Sequence, residues 1–237
     1  MMEEVGMMNN FKKFPSKEQL TDELASHIAL ILQEAIDEKG KTSILLSGGN
    51  TPKEFFKKLS TFDIPWESVY IGLVDERWVP KEHKDSNELL VKEYLMQNNA
   101  SKANFVGMYI NDKEPNECEI VCSDNYKKML YPFDLVVLGM GADSHTASLF
   151  PNNKKLKEAY DLENNSLCIA ITPNDAPHKR MSLTLGAILS AKNIILHIEG
   201  KEKLKVYEEA SKSNDILKNP ISAVLNNTDS EVEVYYA

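Results

Sequence analysis

Phe133-Asp-Leu-Val-Val-Leu138 runs directly into Gly139-Met-Gly-Ala-Asp-Ser-His-Thr-Ala-Ser-Leu-Phe-Pro151. The first stretch is short and almost wholly apolar. Such a run, cut off by glycines, reads as a strand buried on both faces of a sheet. The second stretch leaves that strand through a Gly-rich turn and places Asp143 two residues before His145. Working outward, similar apolar runs occur at residues 43–46, 69–74, 167–171 and 193–198, with 105–110 as a further candidate. Helical patterns separate them. Ser16 opens the first, with Gln19 placed for a capping box. Leu20, Leu24, Ile28, Ile31, Leu32, Ala35 and Ile36 follow at helical spacing, and Gly40 stands where a C-terminal cap belongs. Residues 86–96, 116–130, 182–191 and 201–211 read as further helices, and 231–236 as a closing strand at an edge. Strands alternating with helices predict an α/β fold: a mostly parallel sheet with helices on both faces. No linker, repeat or low-complexity stretch interrupts residues 1–237, so a single domain is the simplest organisation, with room for a small subdomain between about 80 and 130.

Composition narrows the function. The chain has 237 residues, 42% hydrophobic and 27% charged, with a formal net charge of −9. That charge argues against a nucleic-acid partner, which needs a basic face. It also means that an anionic ligand must be attracted by a local cluster of cations and N–H groups. No apolar run approaches the roughly 18 residues of a membrane span. Residues 1–14 lack the apolar core of a signal peptide. Cys118, Cys122 and Cys168 give no disulfide framework, and Cys118-x-x-x-Cys122 lacks metal-type partners. A cytoplasmic location is expected.

Ligands of open α/β sheets bind beyond the carboxyl ends of the strands, and four turns there carry chemistry. Ser47-Gly-Gly-Asn-Thr-Pro52 combines glycines with a helix start. Thr51 reads as its N-cap, Pro52 as its first residue and Glu54 as the partner in a capping box. The turn reads equally as a phosphate cradle or as a tight strand-to-helix connection. It is not a Walker loop, because no Gly-Lys-Ser/Thr follows. Asp75-Glu-Arg-Trp78 follows a buried strand, so its three charges are expected in a loop, with Arg77 facing an anion or pairing internally. In Gly139–Pro151, Asp143 can fix the tautomer of His145 and raise its basicity, which makes His145 a candidate general base. Gly200-Lys-Glu-Lys203 opens a helix, where Lys203 reaches an anion or simply charges the first turn. Arg180, ahead of another helix, has the same two readings. His27 and His197 read as structural. His83 and His178 sit in loops, with His178 near enough to Arg180 in sequence to line a site.

These motifs together resemble the 6-phosphogluconolactonase family, part of a wider group that includes glucosamine-6-phosphate deaminase. The likeness runs from about residue 40 to 225. It rests on Leu46–Pro52, Val74–Pro80 with Asp85-Ser-Asn87, Gly139–Pro151, Arg180-Met-Ser-Leu-Thr184, Gly200–Lys203 and Asn219-Pro220. Arg77 and the ending Ser148-Leu-Phe-Pro151 resemble the lactonase branch; the deaminase branch would carry Tyr at 77 and an Asn-Glu-Pro-like ending. The resemblance implies a modified Rossmann-type fold, no cofactor and no metal. It implies hydrolysis of 6-phospho-D-glucono-1,5-lactone to 6-phosphogluconate, the second step of the oxidative pentose phosphate pathway. By position, His145 is the implied base with Asp143 beside it, and Asp75 and Arg77 lie near the reacting end. Ser47, Gly48, Gly49 and Thr51 would line the phosphate site, with charge from Arg180 and Lys203. The expected partner is a small sugar-phosphate lactone, bound by a monomer or weak dimer without nucleic acid or membrane. A deaminase acting on glucosamine 6-phosphate and a non-catalytic sugar-phosphate sensor are the competing readings. Two positions depart from the family: Asn50 replaces a usual Ser, and Ser144 a usual Gly. If position 144 needs a positive φ, Ser costs of order 1 kcal/mol there.

Overall fold

The apolar runs at 43–46, 69–74, 133–138 and 193–198 lie in one parallel sheet, whereas 167–171 pairs antiparallel in a second one. The computed structural model describes residues 10–129 and 131–237. Residues 1–9, which hold most of the segment read for a leader, and the last residue of the helix expected to end at 130 lie outside the described residues. In chain order the elements are β1 (Asn10–Lys13), α1 (Lys17–Lys39), β2 (Thr42–Leu46), α2 (Lys53–Leu59), β3 (Val69–Leu73), β4 (Asp75–Arg77), α3 (Asn87–Tyr94), β5 (Asn104–Phe105), α4 (Pro115–Lys128), β6 (Leu135–Leu138), α5 (Leu156–Ala159), β7 (Cys168–Ile171), β8 (Arg180–Leu183), α6 (Leu185–Leu189), β9 (Asn193–Ile198), α7 (Lys201–Ala210), α8 (Ser222–Leu225) and β10 (Val232–Tyr236). Seven strands form one parallel sheet in the order β1-β10-β9-β6-β2-β3-β5.

The first helix forms as its caps and stripe dictate. The Ser16 hydroxyl accepts the Gln19 N–H at 3.2 Å, and Gly40, at φ 79°, donates to the Ile36 carbonyl. Leu20, Leu24, Ile28 and Leu32 are fully buried against the sheet, each stabilising the fold by about 1.5–3 kcal/mol. No helix among the described residues is long and apolar enough to cross a membrane.

Several expectations need correction. A second, antiparallel sheet, β4-β8-β7, stands beside the main one. Residues 75–77 are therefore a strand, and Glu76 is fully buried. The helix expected over 182–191 is shorter, because Arg180–Leu183 is strand and Thr184 caps a helix of five residues. Strand β1 covers β10, so β10 is not an edge. The strand expected over 105–110 reduces to Asn104–Phe105, paired in the main sheet with β3. The free edge of β7 is blunted by α4: Glu119 accepts the Ala170 N–H at 2.8 Å, and Ser123 accepts the Cys168 N–H at 3.0 Å. Covering an edge this way leaves no unpaired ladder to template aggregation.

Asp134 explains how a charge survives beside a buried strand. Its carboxylate accepts the Ser43 N–H at 2.9 Å and the Thr42 hydroxyl at 3.1 Å, and pairs with Lys39 at 2.6 Å. It thereby ties the start of β6 to the start of β2. Asp134→Ala leaves two buried donors unsatisfied and is expected to cost about 2–3 kcal/mol in urea unfolding. Lys39→Ala, at the half-exposed end of the pair, should cost less than about 1 kcal/mol.

Candidate active site

The strand order reverses between β2 and β6: the chain moves outward through β3 and β5, then returns to the other side of β2. Loops leaving adjacent strands at such a point diverge and open a crevice. A cavity of about 220 Å³ lies there, walled by residues 46–52 and 137–141, with Asp75, Arg77, Asn87, His145, His197 and Lys203. The Ser47 hydroxyl accepts the Gly139 N–H at 2.9 Å and so stitches the two loops at their roots.

The β2 loop is built to leave donors free. Helix α2 starts at Lys53 with Pro52 in the cap position and no side-chain cap, so Thr51 is not the N-cap expected. Among the described residues, the N–H groups of Gly48, Gly49, Asn50 and Thr51 find no acceptor. Gly48 is dictated by packing, since a Cβ there would stand 1.9 Å from Asn87 Oδ1. Asn87 is held in place by its own Nδ2, which donates to the Asp75 carbonyl at 2.8 Å. Across the cavity, Lys203 is half-buried, and that burial pushes its ammonium below the usual lysine range, against Glu199 and Glu202. Glu199 is already engaged. It pairs with Lys17 at 2.7 Å and lies 3.2 Å from His197 Nε2, and these neighbours, His197 first, hold it at about 2. Lys203 therefore faces the cavity without an ion-pair partner among the described residues. His197 Nε2 is out of line for a hydrogen bond with Glu199 and has no other protein acceptor or donor.

The β6 loop aims the imidazole. His145 Nδ1 lies 2.5 Å from Asp143 Oδ1, which also accepts the His145 N–H at 3.2 Å. Burial opposes ionisation of Asp143, but its bonds to His145 outweigh that and hold its carboxyl below the usual range. A Cβ on Gly141 would meet His145 Nδ1 at 2.2 Å, so glycine is required to seat the ring. The turn is strained on both sides of His145: Ser144 has φ 69° and Ala147 φ 49°. It is held by Gly141 N–H to His145 O at 2.8 Å, Ile221 N–H to Ser144 O at 3.0 Å, and Thr146 Oγ1 to Gly139 O at 2.9 Å.

Strand β4 supplies the remaining charges by its period-two alternation. Asp75 and Arg77 face the cavity, while Glu76 points away from it. Asp75 accepts the Ser148 hydroxyl at 2.6 Å, and Arg77 Nη1 donates to the Asp85 carbonyl at 2.6 Å. Arg180 pairs with Arg77 across the ladder, but its side chain turns back onto the carbonyls of Pro177 and His178 at 2.6 and 2.9 Å. Its guanidinium does not line the cavity. Sequence reasoning missed Asn87 and His197. Asn87 lay in a quoted motif without a role, and His197 was assigned to the core because it lies in a strand. Its position at the carboxyl end of β9 was the signal.

Glu76 anchors this wall. Its carboxylate accepts the N–H groups of Arg77, Asn87 and Glu88 at 2.7–2.8 Å and the Ser86 hydroxyl at 3.0 Å, capping α3. Burial pushes the carboxyl up to about 7 despite those four donors. The folded state then holds a proton that the unfolded chain releases at ordinary carboxylate pKa. Stability from this group is present below about pH 4.5 and is lost as pH rises through about 7, by roughly 1–3 kcal/mol. Urea unfolding between pH 5 and 8 is expected to show that decline, and Glu76→Gln to flatten it while lowering stability overall.

The comparisons bear on the chain and fold that carry this cavity. Residues 15–234 match the model of a family described as glucosamine-6-phosphate isomerases/6-phosphogluconolactonase. A 6-phosphogluconolactonase of Rhizobium meliloti is 36% identical over 98% of this chain and 100% of its own. One from Pseudomonas putida is 39% identical over 86% and 84%. The crystal structure of a 6-phosphogluconolactonase from Shewanella baltica superposes with TM-score 0.94 at 42% identity, covering 98% of this chain and 99% of that one. The chain belongs to the glucosamine-6-phosphate isomerase/6-phosphogluconolactonase family.

Proposed function

We propose that this chain is a cytoplasmic hydrolase, active as a monomer or weak dimer, that converts 6-phospho-D-glucono-1,5-lactone to 6-phosphogluconate. One observation carries the reading: His145 lines the cavity with Nδ1 held by Asp143 and with Nε2 unpartnered among the described residues. An imidazole so held donates Nδ1–H to the carboxylate and keeps its lone pair on Nε2, the state needed to take a proton from water. The hydroxide formed attacks the lactone carbonyl carbon. Charge collects on the carbonyl oxygen, and Arg77 supplies the donors that steady it. As the tetrahedral intermediate collapses, the bond to the ring oxygen breaks and that oxygen receives the proton from His145. Asp143, held ionised, stabilises the imidazolium between the two transfers.

The phosphate would lie in the opposite corner, where the N–H groups of Gly48, Gly49 and Thr51 and the ammonium of Lys203 converge on the cavity. Ser47 adds its hydroxyl proton, since its oxygen already accepts from Gly139. Arg180, paired with Arg77 across the ladder, adds positive charge nearby. That cluster meets the requirement set by a chain of net charge −9.

His145→Ala is expected to lower turnover by about 10²–10⁴-fold with KM little changed. Lys203→Ala should instead raise KM about tenfold or more and spare turnover. The lactone generated in situ from glucose 6-phosphate, with 6-phosphogluconate formation read against the spontaneous rate, provides the assay. Near-wild-type turnover by His145→Ala would overturn the assignment of the base, and ammonia release from glucosamine 6-phosphate would overturn the substrate. Ser144 already holds the left-handed φ that a glycine would take, so Ser144→Gly should leave turnover within about twofold and stability within about 1 kcal/mol.

A further inference from the structure

Away from the cavity, His83, Asp85 and His178 bring three donor atoms within 4.8 Å of one another. Two loops supply them, one following β4 and one leading into β8. His178 Nε2 lies 3.0 Å from Asp85 Oδ2, and His83 Nδ1 lies 3.8 Å from the same oxygen. The imidazoles meet edge to face, with centroids 5.5 Å apart. The Asp85 N–H donates to His83 Nδ1 at 3.1 Å, so that nitrogen is unprotonated, and an ion there would take its lone pair in place of that N–H, which turns to solvent. His178 holds φ 67°, a left-handed conformation uncommon outside glycine that persists where the surroundings impose it. The three side chains are 27–40% exposed, open enough for an ion and a closing water.

We propose that His83, Asp85 and His178 form a binding site for one zinc-class divalent ion, with water as the fourth ligand. Two imidazole nitrogens and one carboxylate oxygen form a borderline donor set. That set suits zinc and its neighbours, whereas calcium and magnesium require oxygen donors. Around a tetrahedral ion with bonds of about 2.0–2.1 Å, donors stand roughly 3.3–3.4 Å apart. The observed 3.0 and 3.8 Å bracket that spacing, so small side-chain adjustments close the shell. The ion takes the place of the proton that His178 Nε2 donates to Asp85, and that proton leaves to solvent. The carbonyl of Asp85 holds Arg77, and the carbonyl of His178 holds Arg180. An ion here therefore locks together the two loops that position both arginines, without entering the cavity. The proposal does not depend on His145 acting as the base.

Metal-stripped protein titrated with Co²⁺, with Zn²⁺ as competitor, tests the site. One Co²⁺ per chain is expected, with the visible absorption of a four-coordinate nitrogen–oxygen site. No thiolate charge-transfer band should accompany it, since Cys118, Cys122 and Cys168 are buried. His83→Gln and His178→Gln should each weaken the affinity by at least about tenfold. Asp85→Asn should do the same while keeping the backbone carbonyl that holds Arg77. His145→Gln should leave the spectrum unchanged. Absence of saturable uptake by the wild-type protein up to about 0.1 mM metal would overturn the proposal. So would uptake that survives all three cluster variants or disappears with His145→Gln, which would place the ion at the Asp143–His145 pair.

Discussion

The parallel pairing of β2 with β6 is the constraint from which the site follows. Ile44, Leu45 and Leu46 stand opposite Leu135, Val136 and Val137, all buried. The strand order reverses at this seam, so the two loops leaving it must part. One carries free N–H groups and the other an imidazole. Asp134 fixes the seam at its amino end and the Ser47–Gly139 bond fixes it at its carboxyl end. The backbone N–H groups of residues 48–51 and His145 are therefore positioned by the same two strands, and neither loop has to find the other through flexible side chains.

The small antiparallel sheet adds what the parallel sheet cannot supply. A parallel strand buried on both faces has no room for charge, and β2 and β6 carry none among their strand residues. Strand β4 is buried on one face and open to the cavity on the other, so alternation can present Asp75 and Arg77 while hiding Glu76. Hiding Glu76 is useful because its carboxylate gathers four donors at the start of α3. That places Asn87 against Gly48 and so shapes the β2 loop from behind. The floor of one loop thus depends on a carboxyl group outside the cavity.

Much of this was legible in the residues. The run 133–138 and its relatives gave the parallel sheet, and Gly139–Pro151 gave the loop with its His–Asp pair. What escaped has a common physical cause. A three-residue strand such as β4 has no periodicity to read, and its charges look solvated until the partner strand is known. Arg180 sits in a strand that pairs with β4, so its place opposite Arg77 depends on register, which no local pattern encodes. His197 satisfied the pattern of a buried strand completely. Only its place at the carboxyl end of β9, beside the seam, makes it part of the cavity. Thr51 and Pro52 carried strong capping signals, yet the turn closes one residue later and leaves the threonine free.

Position 144 shows how a local rule is broken and compensated. A side chain at φ 69° is disfavoured by about 1–2 kcal/mol relative to glycine, and Ala147 carries a similar burden three residues on. Neither could persist in an isolated loop. Here the backbone of the turn is bonded to Gly141, Gly139 and Ile221, the last from the segment that begins α8. The Ser144 hydroxyl lies 3.4 Å from Asn219 Oδ1, reaching the same segment. Strain concentrated on both sides of His145 and opposed by bonds within its own loop and to the 219–221 segment gives the imidazole one orientation. A general base gains from that rigidity, because proton transfer depends on heavy-atom distance before it depends on pKa. The distortion is thus better understood as part of how the imidazole is aimed for the role proposed for it than as a defect tolerated by the fold.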